Sequence, residues 1–216
     1  MTHPLLSRIV EAGVIATLRA PDESTAISIV DALVKGGITA IEVTYTTPGA
    51  GEVIAAVRSR FGTEVVLGAG TVTTEAQVSE AHAAGAEFLV SPGFDAEVVD
   101  AIERTGALSM IGAFTATEVQ GLAKRGVDVV KFFPGSLGGA PALRALRGPF
   151  PNLTYIPTGG VSASNLGEWL ASGAVAVGAG SELIPAAAVS GRDFDAITDK
   201  AQEFLAALGD ARRQAG

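Results

Sequence analysis

The sequence predicts an α/β fold, a single-domain (β/α)8 TIM barrel over residues 1–216 with an extra helix at its N-terminal end. Three observations predict it. A helical stretch that ends in Gly and leads into a short apolar run recurs along the chain. The closing residues Gly37, Gly62, Gly85, Gly106, Gly126 and Gly173 are 25, 23, 21, 20 and 47 residues apart, the last gap being two units. Eight such units in about 200 residues suit a small barrel, because parallel strands need helical crossovers. A doubly wound open sheet has the same rhythm and is the alternative architecture.

The elements follow in order. MTHPLLSRIVEAG begins the chain and reads as a short helix, followed by the first strand, VIATLRA, from Val14. Asp22 is placed to cap a helix whose Ala26, Ile29, Val30 and Leu33 fall at i, i+3, i+4 and i+7. GGITAIEVT, FGTEVVLGAG, AGAEFLVSPG, TGALSMIGA and RGVDVVKFF supply the next five strands. Their leading glycines suit the left-handed backbone that closes a helix. Thr115 and Glu118 have the spacing of a capping box. The seventh strand lies in NLTYIPTGG, introduced by GPFP, and the eighth in SGAVAVGAG. Between them Ser162 precedes a helix carrying Leu166, Trp169 and Leu170 on one side.

Composition removes several functions. The chain is 48% hydrophobic with a net charge of −8 and a pI near 4.8, which disfavours nucleic acid or an anionic membrane as partner. It has no cysteine, so thiolate nucleophiles, disulfides and zinc–thiolate sites are excluded. No run is long and apolar enough to span a membrane, and the N-terminus lacks the pattern of a signal peptide. A soluble cytoplasmic protein is expected.

Barrels place chemistry at the C-terminal ends of their strands. Here those ends hold Arg19, Glu42 with Thr44, Gly68 to Thr71, Ser91-Pro92, Gly112, Lys131 with Phe133, Thr158 to Gly160, and Gly178 to Ser181. The two histidines, His3 and His82, fall in the first helix and in a helix body, so they read as surface residues. Histidine triads and histidine metal sites are disfavoured accordingly. One carboxylate, one amine and one guanidinium remain. Lys131 sits in the apolar run VVKFFPGS, where an unpaired ammonium is costly. A strand-end lysine beside a carboxylate suits imine chemistry, in which a neutral amine attacks a ketone and the iminium stabilises an adjacent carbanion. Glu42 would then move protons. The same two residues read equally well as a buried ion pair. Phe132 and Phe133 alternate faces, one under the helices and one at the barrel mouth. Thr158-Gly-Gly160 and Gly178-Ala-Gly-Ser181, after strands seven and eight, suit an anion held by backbone N–H groups and a helix N-terminus.

IEVTYTTP, GAGTV, SPG, VKFFPG, GPFPN and PTGGV, in that order from Arg19 to Ser181, resemble the 2-keto-3-deoxy-6-phosphogluconate aldolase family. That family also contains 4-hydroxy-2-oxoglutarate and phosphogalactonate aldolases. The resemblance implies a class I, pyruvate-dependent aldolase of carbohydrate metabolism, of the Entner–Doudoroff type. It implies a homotrimer without metal or cofactor, whose partners are a keto acid and a phosphorylated aldehyde. By resemblance Lys131 is the imine lysine and Glu42 the acid/base. Thr71, Pro92, Phe133 and Thr158 match the pyruvate end, and Gly159, Gly160, Gly180 and Ser181 the phosphate end. Two positions depart from the pattern. Thr46 stands where many members carry an Arg for the pyruvate carboxylate, so Arg19 is expected to supply that cation. Ile111 precedes Gly112 where the family reads Pro-Gly, which puts Ile111 at the expected pocket wall. A phospho-sugar isomerase or epimerase using Glu42 as base, with Lys131 clamping an oxyanion, is the competing reading.

Overall fold

A computed structural model of the chain describes residues 3–215. After α1 (Leu5–Ala12) come β1 (Val14–Leu18), α2 (Glu23–Lys35), β2 (Ala40–Thr44), α3 (Ala50–Phe61), β3 (Val66–Gly70) and α4 (Glu75–Ala83). The middle of the chain gives β4 (Phe88–Ser91), α5 (Ala96–Thr105), β5 (Leu108–Ala113), α6 (Ala116–Arg125) and β6 (Val129–Phe132). It ends with α7 (Gly139–Arg147), β7 (Tyr155–Pro157), α8 (Leu166–Ala171), β8 (Val177–Ala179), α9 (Ala186–Gly191) and α10 (Phe194–Ala215). All strand pairs are parallel, in the order β7-β6-β5-β4-β3-β2-β1-β8. A single bridge between Thr158 and Gly178 joins the two ends of that order. The barrel reading holds and the open sheet is excluded.

Local chemistry explains the boundaries. All six closing glycines have φ between 52° and 100°, a region where a Cβ is penalised. Asp22 accepts the Thr25 N–H at 2.8 Å and so starts α2. His3 lies ahead of α1 rather than within it, with its Nδ1 accepting the Leu5 N–H at 3.1 Å. The start of α8 also differs from expectation. Ser162 donates its N–H to Asn165 Oδ1 at 2.9 Å, which holds residues 162–165 in a turn, and the helix begins only at Leu166. An Asx side chain can satisfy a nearby N–H locally and postpone the helix.

The capping box at α6 forms as expected. Thr115 Oγ1 accepts the Glu118 N–H at 3.3 Å, and Glu118 Oε2 accepts the N–H groups of Phe114 and Thr115 at 2.9 and 2.8 Å. The Phe114 N–H above all holds the Glu118 carboxyl below its usual range. A carboxyl whose folded value is depressed stabilises above its unfolded value and loses that contribution as pH falls through the folded one. Thr115→Ala is expected to cost about 1 kcal/mol at neutral pH. The difference between wild type and variant in urea unfolding should shrink below about pH 4. An equal cost at pH 7 and pH 3 would mean that the carboxylate takes no part in the cap.

Strand alternation divides the core in two. Val14, Ala16 and Leu18 of β1 face the helices and join one apolar cluster, together with outward residues of the other strands. Ile15, Ala40, Val66, Phe88, Leu108, Val129 and Ile156 fill the barrel, and Leu5, Leu6 and Ile9 of α1 pack against them from below. That plug explains the extra helix, because a barrel with an open floor would leave this layer wet. The apolar filling stops one layer below Lys131, where Thr17, Glu42 and Lys131 replace it. Phe132 packs outward against Phe114 and Trp169, with centroids 5.4 and 6.1 Å away.

Candidate active site

β2 and β6 stand on opposite sides of the barrel, and each sends one ionisable side chain toward its axis. Glu42 follows the inward Ala40 by two positions, and Lys131 follows the inward Val129 by two, as strand pleating requires. Lys131 is 4% exposed and Glu42 2%. Lys131 Nζ lies 3.7 Å from Glu42 Oε1 and 5.3 Å over the Phe133 ring. A charge-assisted hydrogen bond would close to about 2.7–2.9 Å, so the pair is near contact yet unlocked. Oε1 has no hydrogen-bond partner among the described residues. Buried polar atoms are rarely left so, and a catalytic role is one of the few reasons for it. Oε2 accepts from Thr17 Oγ1 at 3.4 Å, across the register pair Thr17–Glu42.

Thr17 was not among the expected site residues. Its signal lies in VIATL, where it is the one polar residue and occupies an inward position of an otherwise apolar strand. It is 4% exposed and fixes the face that the carboxylate turns to Lys131.

Several glycines expected in loops belong to the strands and act through what they lack. A Cβ on Gly70 would stand 1.8 Å from Glu42 Oε1, and one on Gly68 would stand 2.4 Å from the Phe88 ring. A Cβ on Gly178 would stand 2.3 Å from Thr158 Oγ1. Each absent side chain is the space another residue uses. Gly178 therefore seats Thr158 instead of forming an anion loop. Gly112 admits the Pro92–Gly93 backbone, since a Cβ there would meet Pro92 O at 2.1 Å. Ile111 does not reach the pocket: it faces the helices and is fully buried among the outward cluster, because pleating turns its neighbour Gly112 inward.

Thr71 and Thr46 lie at the mouth above β3 and β2. Thr71 has φ 57°, an outlier for a β-branched residue. It is held between Gly70, whose carbonyl accepts the Tyr45 N–H at 2.8 Å, and Val72, whose N–H donates to Val90 O at 3.0 Å. Backbone strain of this kind clusters at ligand sites. Thr46 is exposed and shares a 2.7 Å hydroxyl hydrogen bond with Thr44.

A cavity of about 170 Å³ lies beside β7 and β8. Phe133 and Thr158 border it on one side, Gly159, Gly160, Gly180 and Ser181 on the other, with Thr17 and Arg19 across. Gly159 and Gly160 have φ 92° and 72°, so consecutive N–H groups converge as in an anion nest. The N–H groups of Gly160 and Ser181 donate to no acceptor among the described residues, while the Gly159 N–H lies in the bridge to Gly178. No long helix starts at Ser181. Ile184 N–H returns to Gly180 O at 2.8 Å in one isolated turn. Arg19 shares this cavity with Phe133 and Thr158 of the expected pyruvate end and with the glycines of the expected phosphate end. Its Nη1 lies 3.7 Å from where a Gly180 Cβ would stand, and it borders the nest, while Thr71, Thr46 and Pro92 do not line this cavity. Arg19 closes β1, and β1 pairs with β8, so topology brings it to the nest.

Among the described residues no helix is long and apolar enough to cross a membrane. Among those residues no group of three His, Asp or Glu side chains is placed to hold a metal ion.

Comparison with known proteins points to one family. A 2-dehydro-3-deoxy-phosphogluconate aldolase of Treponema pallidum (strain Nichols) is 40% identical over 185 residues, covering 85% of this chain and 88% of that one. A KDPG aldolase from Legionella pneumophila, solved with pyruvate captured at low pH as a covalent carbinolamine intermediate, superposes with a TM-score of 0.84. It is 32% identical, with 90% of this chain and 95% of that one covered. A cube-shaped protein cage designed by fusing symmetric oligomeric domains matches with a TM-score of 0.86 and 28% identity, over 94% of this chain and 74% of that one. The family model for KDPG and KHG aldolase matches residues 5–200. With the strand-end lysine, its carboxylate and the nest already in one barrel mouth, the chain belongs to the KDPG and KHG aldolase family.

Proposed function

We propose that this enzyme, a carbon–carbon lyase, reversibly cleaves 2-keto-3-deoxy-6-phosphogluconate to pyruvate and glyceraldehyde 3-phosphate through an imine on Lys131. The observation that carries this reading is the buried Lys131–Glu42 pair, 3.7 Å apart with Glu42 Oε1 otherwise unpartnered. The Lys131 amine adds to the C2 ketone, and loss of water gives the iminium. Glu42 takes the C4 hydroxyl proton, the C3–C4 electrons flow into the iminium, and the aldehyde departs. Glu42 then returns its proton to the enamine carbon, and water releases pyruvate. The iminium is the electron sink, so the reaction needs no cofactor or metal.

Thr71, with Thr46, Pro92, Phe133 and Thr158, is assigned to the pyruvate end. Gly159, Gly160, Gly180 and Ser181 take the phosphate, and the position of Arg19 beside Gly180 supports placing its guanidinium there too. The pyruvate carboxylate is then left to hydroxyl and backbone donors. A homotrimer is proposed as the working form, supported by the large apolar side chains of Phe94 and Leu137, 44% and 73% exposed after β4 and β6. A cytoplasmic site follows from the substrate, since phosphate esters do not cross membranes unaided.

Pyruvate release from the phosphorylated substrate and from 4-hydroxy-2-oxoglutarate tests the reading. The phosphorylated substrate should have the higher kcat/KM, and Ser181→Ala should narrow the gap about tenfold, about 1.4 kcal/mol for one hydrogen bond to a charged group. Equal efficiency on both substrates by the wild type would remove the phosphate assignment. No cleavage of either would remove the function.

A further inference from the structure

Of the fifteen lysines and arginines, twelve lie within ion-pair or hydrogen-bond distance of an oxygen among the described residues. Only Arg19, Lys124 and Arg192 find no such partner there. Two of those three line one cavity. It measures about 590 Å³ and adjoins the 170 Å³ nest cavity, with Thr17, Arg19, Gly180 and Ser181 lining both. Its far wall carries Arg192, and Pro21, Ile184 and Val189 make an apolar side. Asp22 is the carboxylate in the lining, and it is engaged by Thr25 N–H and Ser24 Oγ, both at 2.8 Å. In a chain of net charge −8, two guanidiniums without an ion-pair partner among the described residues, against one carboxylate already held by N–H and O–H donors, make a local anion trap.

Arg192 is held there by the backbone. It closes α9 at φ 54°, with its N–H on Val189 O at 3.2 Å and the next N–H on Ala188 O at 2.8 Å. Its guanidinium lies 5.7 Å from the Phe194 ring centroid. The base of the side chain is fixed while its charge makes no ion pair among the described residues. It acts only at longer range on Asp22, whose carboxyl the Thr25 N–H above all, and Arg192 least, hold below its usual range.

We propose that this chamber is an outer subsite for ω-phosphorylated acceptor aldehydes longer than glyceraldehyde 3-phosphate, with Arg192 receiving the distal phosphate. The inference rests on the aldolase reading and extends it in the direction of synthesis. Pyruvate bound on Lys131 as the enamine attacks the aldehyde carbon, and a carbon–carbon bond forms. The carbonyl electron pair moves to oxygen, which takes the proton from the Glu42 carboxyl, and water frees the product from the lysine. A three-carbon acceptor ends in the nest. A longer one carries its phosphate past Ser181 and Arg19, its added methylenes against Ile184 and Val189.

The test is aldol addition of pyruvate to 3-phosphooxypropanal and to 5-phosphooxypentanal. Wild type should use both, with kcat/KM values within about tenfold of each other. Arg192→Ala should lower the value for the five-carbon acceptor by about tenfold, as expected for one contact to a charged group, and leave the three-carbon acceptor within about twofold. Arg192→Gly, which suits the left-handed backbone, should behave the same, while Arg192→Lys should restore part of the loss. Addition to the short acceptor but not the long one overturns the subsite and leaves the aldolase reading standing. An equal loss on both acceptors makes Arg192 a general attractor of anions and also overturns it. Addition to neither acceptor refutes the aldolase reading itself.

Discussion

Borohydride added together with pyruvate leaves a reduced pyruvate adduct on the peptide containing Lys131, and Lys131→Met loses both the adduct and turnover. The expected loss in kcat is on the order of 10⁴-fold or more, the scale seen when a covalent nucleophile is removed. The variant needs a fold control, because removing one partner of a buried pair leaves the other charge uncompensated at a cost of about 3–5 kcal/mol. Lys131→Met combined with Glu42→Gln removes both charges and should recover much of that stability without recovering activity. The adduct in the wild type is independent of any variant's folding. If Lys131 stays unmodified in a folded, pyruvate-saturated sample, the imine mechanism is lost. The amine then becomes an electrostatic clamp for isomerase-type chemistry at Glu42.

Glu42→Gln separates proton transfer from imine formation. Lys131 should still be trapped to a measurable extent, while aldol cleavage falls by about 10²- to 10⁴-fold, the range of general acid–base catalysis. Deuterium exchange into the pyruvate methyl group should fall in parallel, since the same carboxyl protonates the enamine. Thr17 donates to Glu42 Oε2, so the glutamine carbonyl can keep that contact and the side chain its place. Near-wild-type cleavage by Glu42→Gln would hand the proton work to water or to another group. A collapse of cleavage with unchanged methyl exchange would assign Glu42 to one of the two proton transfers only.

Much of the architecture was legible because its signals are local. A glycine at the end of an amphipathic helix, or a Thr and Glu three apart, reports a backbone state that neighbours alone impose. Strand alternation likewise put Phe132 and Phe133 on opposite faces, and the structure turns Phe132 outward. What escaped depends on pairs distant in the chain. Arg19 was expected at the pyruvate carboxylate, and its further proximity to Gly180 appears only once β1 is paired with β8. Ile111 and Gly112 are adjacent in sequence and opposite in the barrel, so the departure that mattered on paper faces the helices. Thr17 carries no motif of its own, and its meaning appears only when the register sets it against Glu42. Ser162 did not start the helix because its own N–H is taken by Asn165 Oδ1 and its hydroxyl by Ser164, a local turn that the apolar pattern does not reveal.

The inward glycines bear on any attempt to transplant this chemistry. Lysine and glutamate can be written onto two strands of many eight-stranded barrels, and a designer would count them as the whole instruction. Here the carboxylate occupies the volume that a methyl group on Gly70 would fill, with 1.8 Å between them. Thr158 leans on the same kind of vacancy at Gly178. A recipient barrel with alanine or valine at those points would push the grafted glutamate off the axis and away from the amine, whatever the rest of the mouth looked like. Transfer of the activity therefore starts with deletion: the strand beside the glutamate, and the one beside Thr158, must be hollowed before the reactive pair is installed.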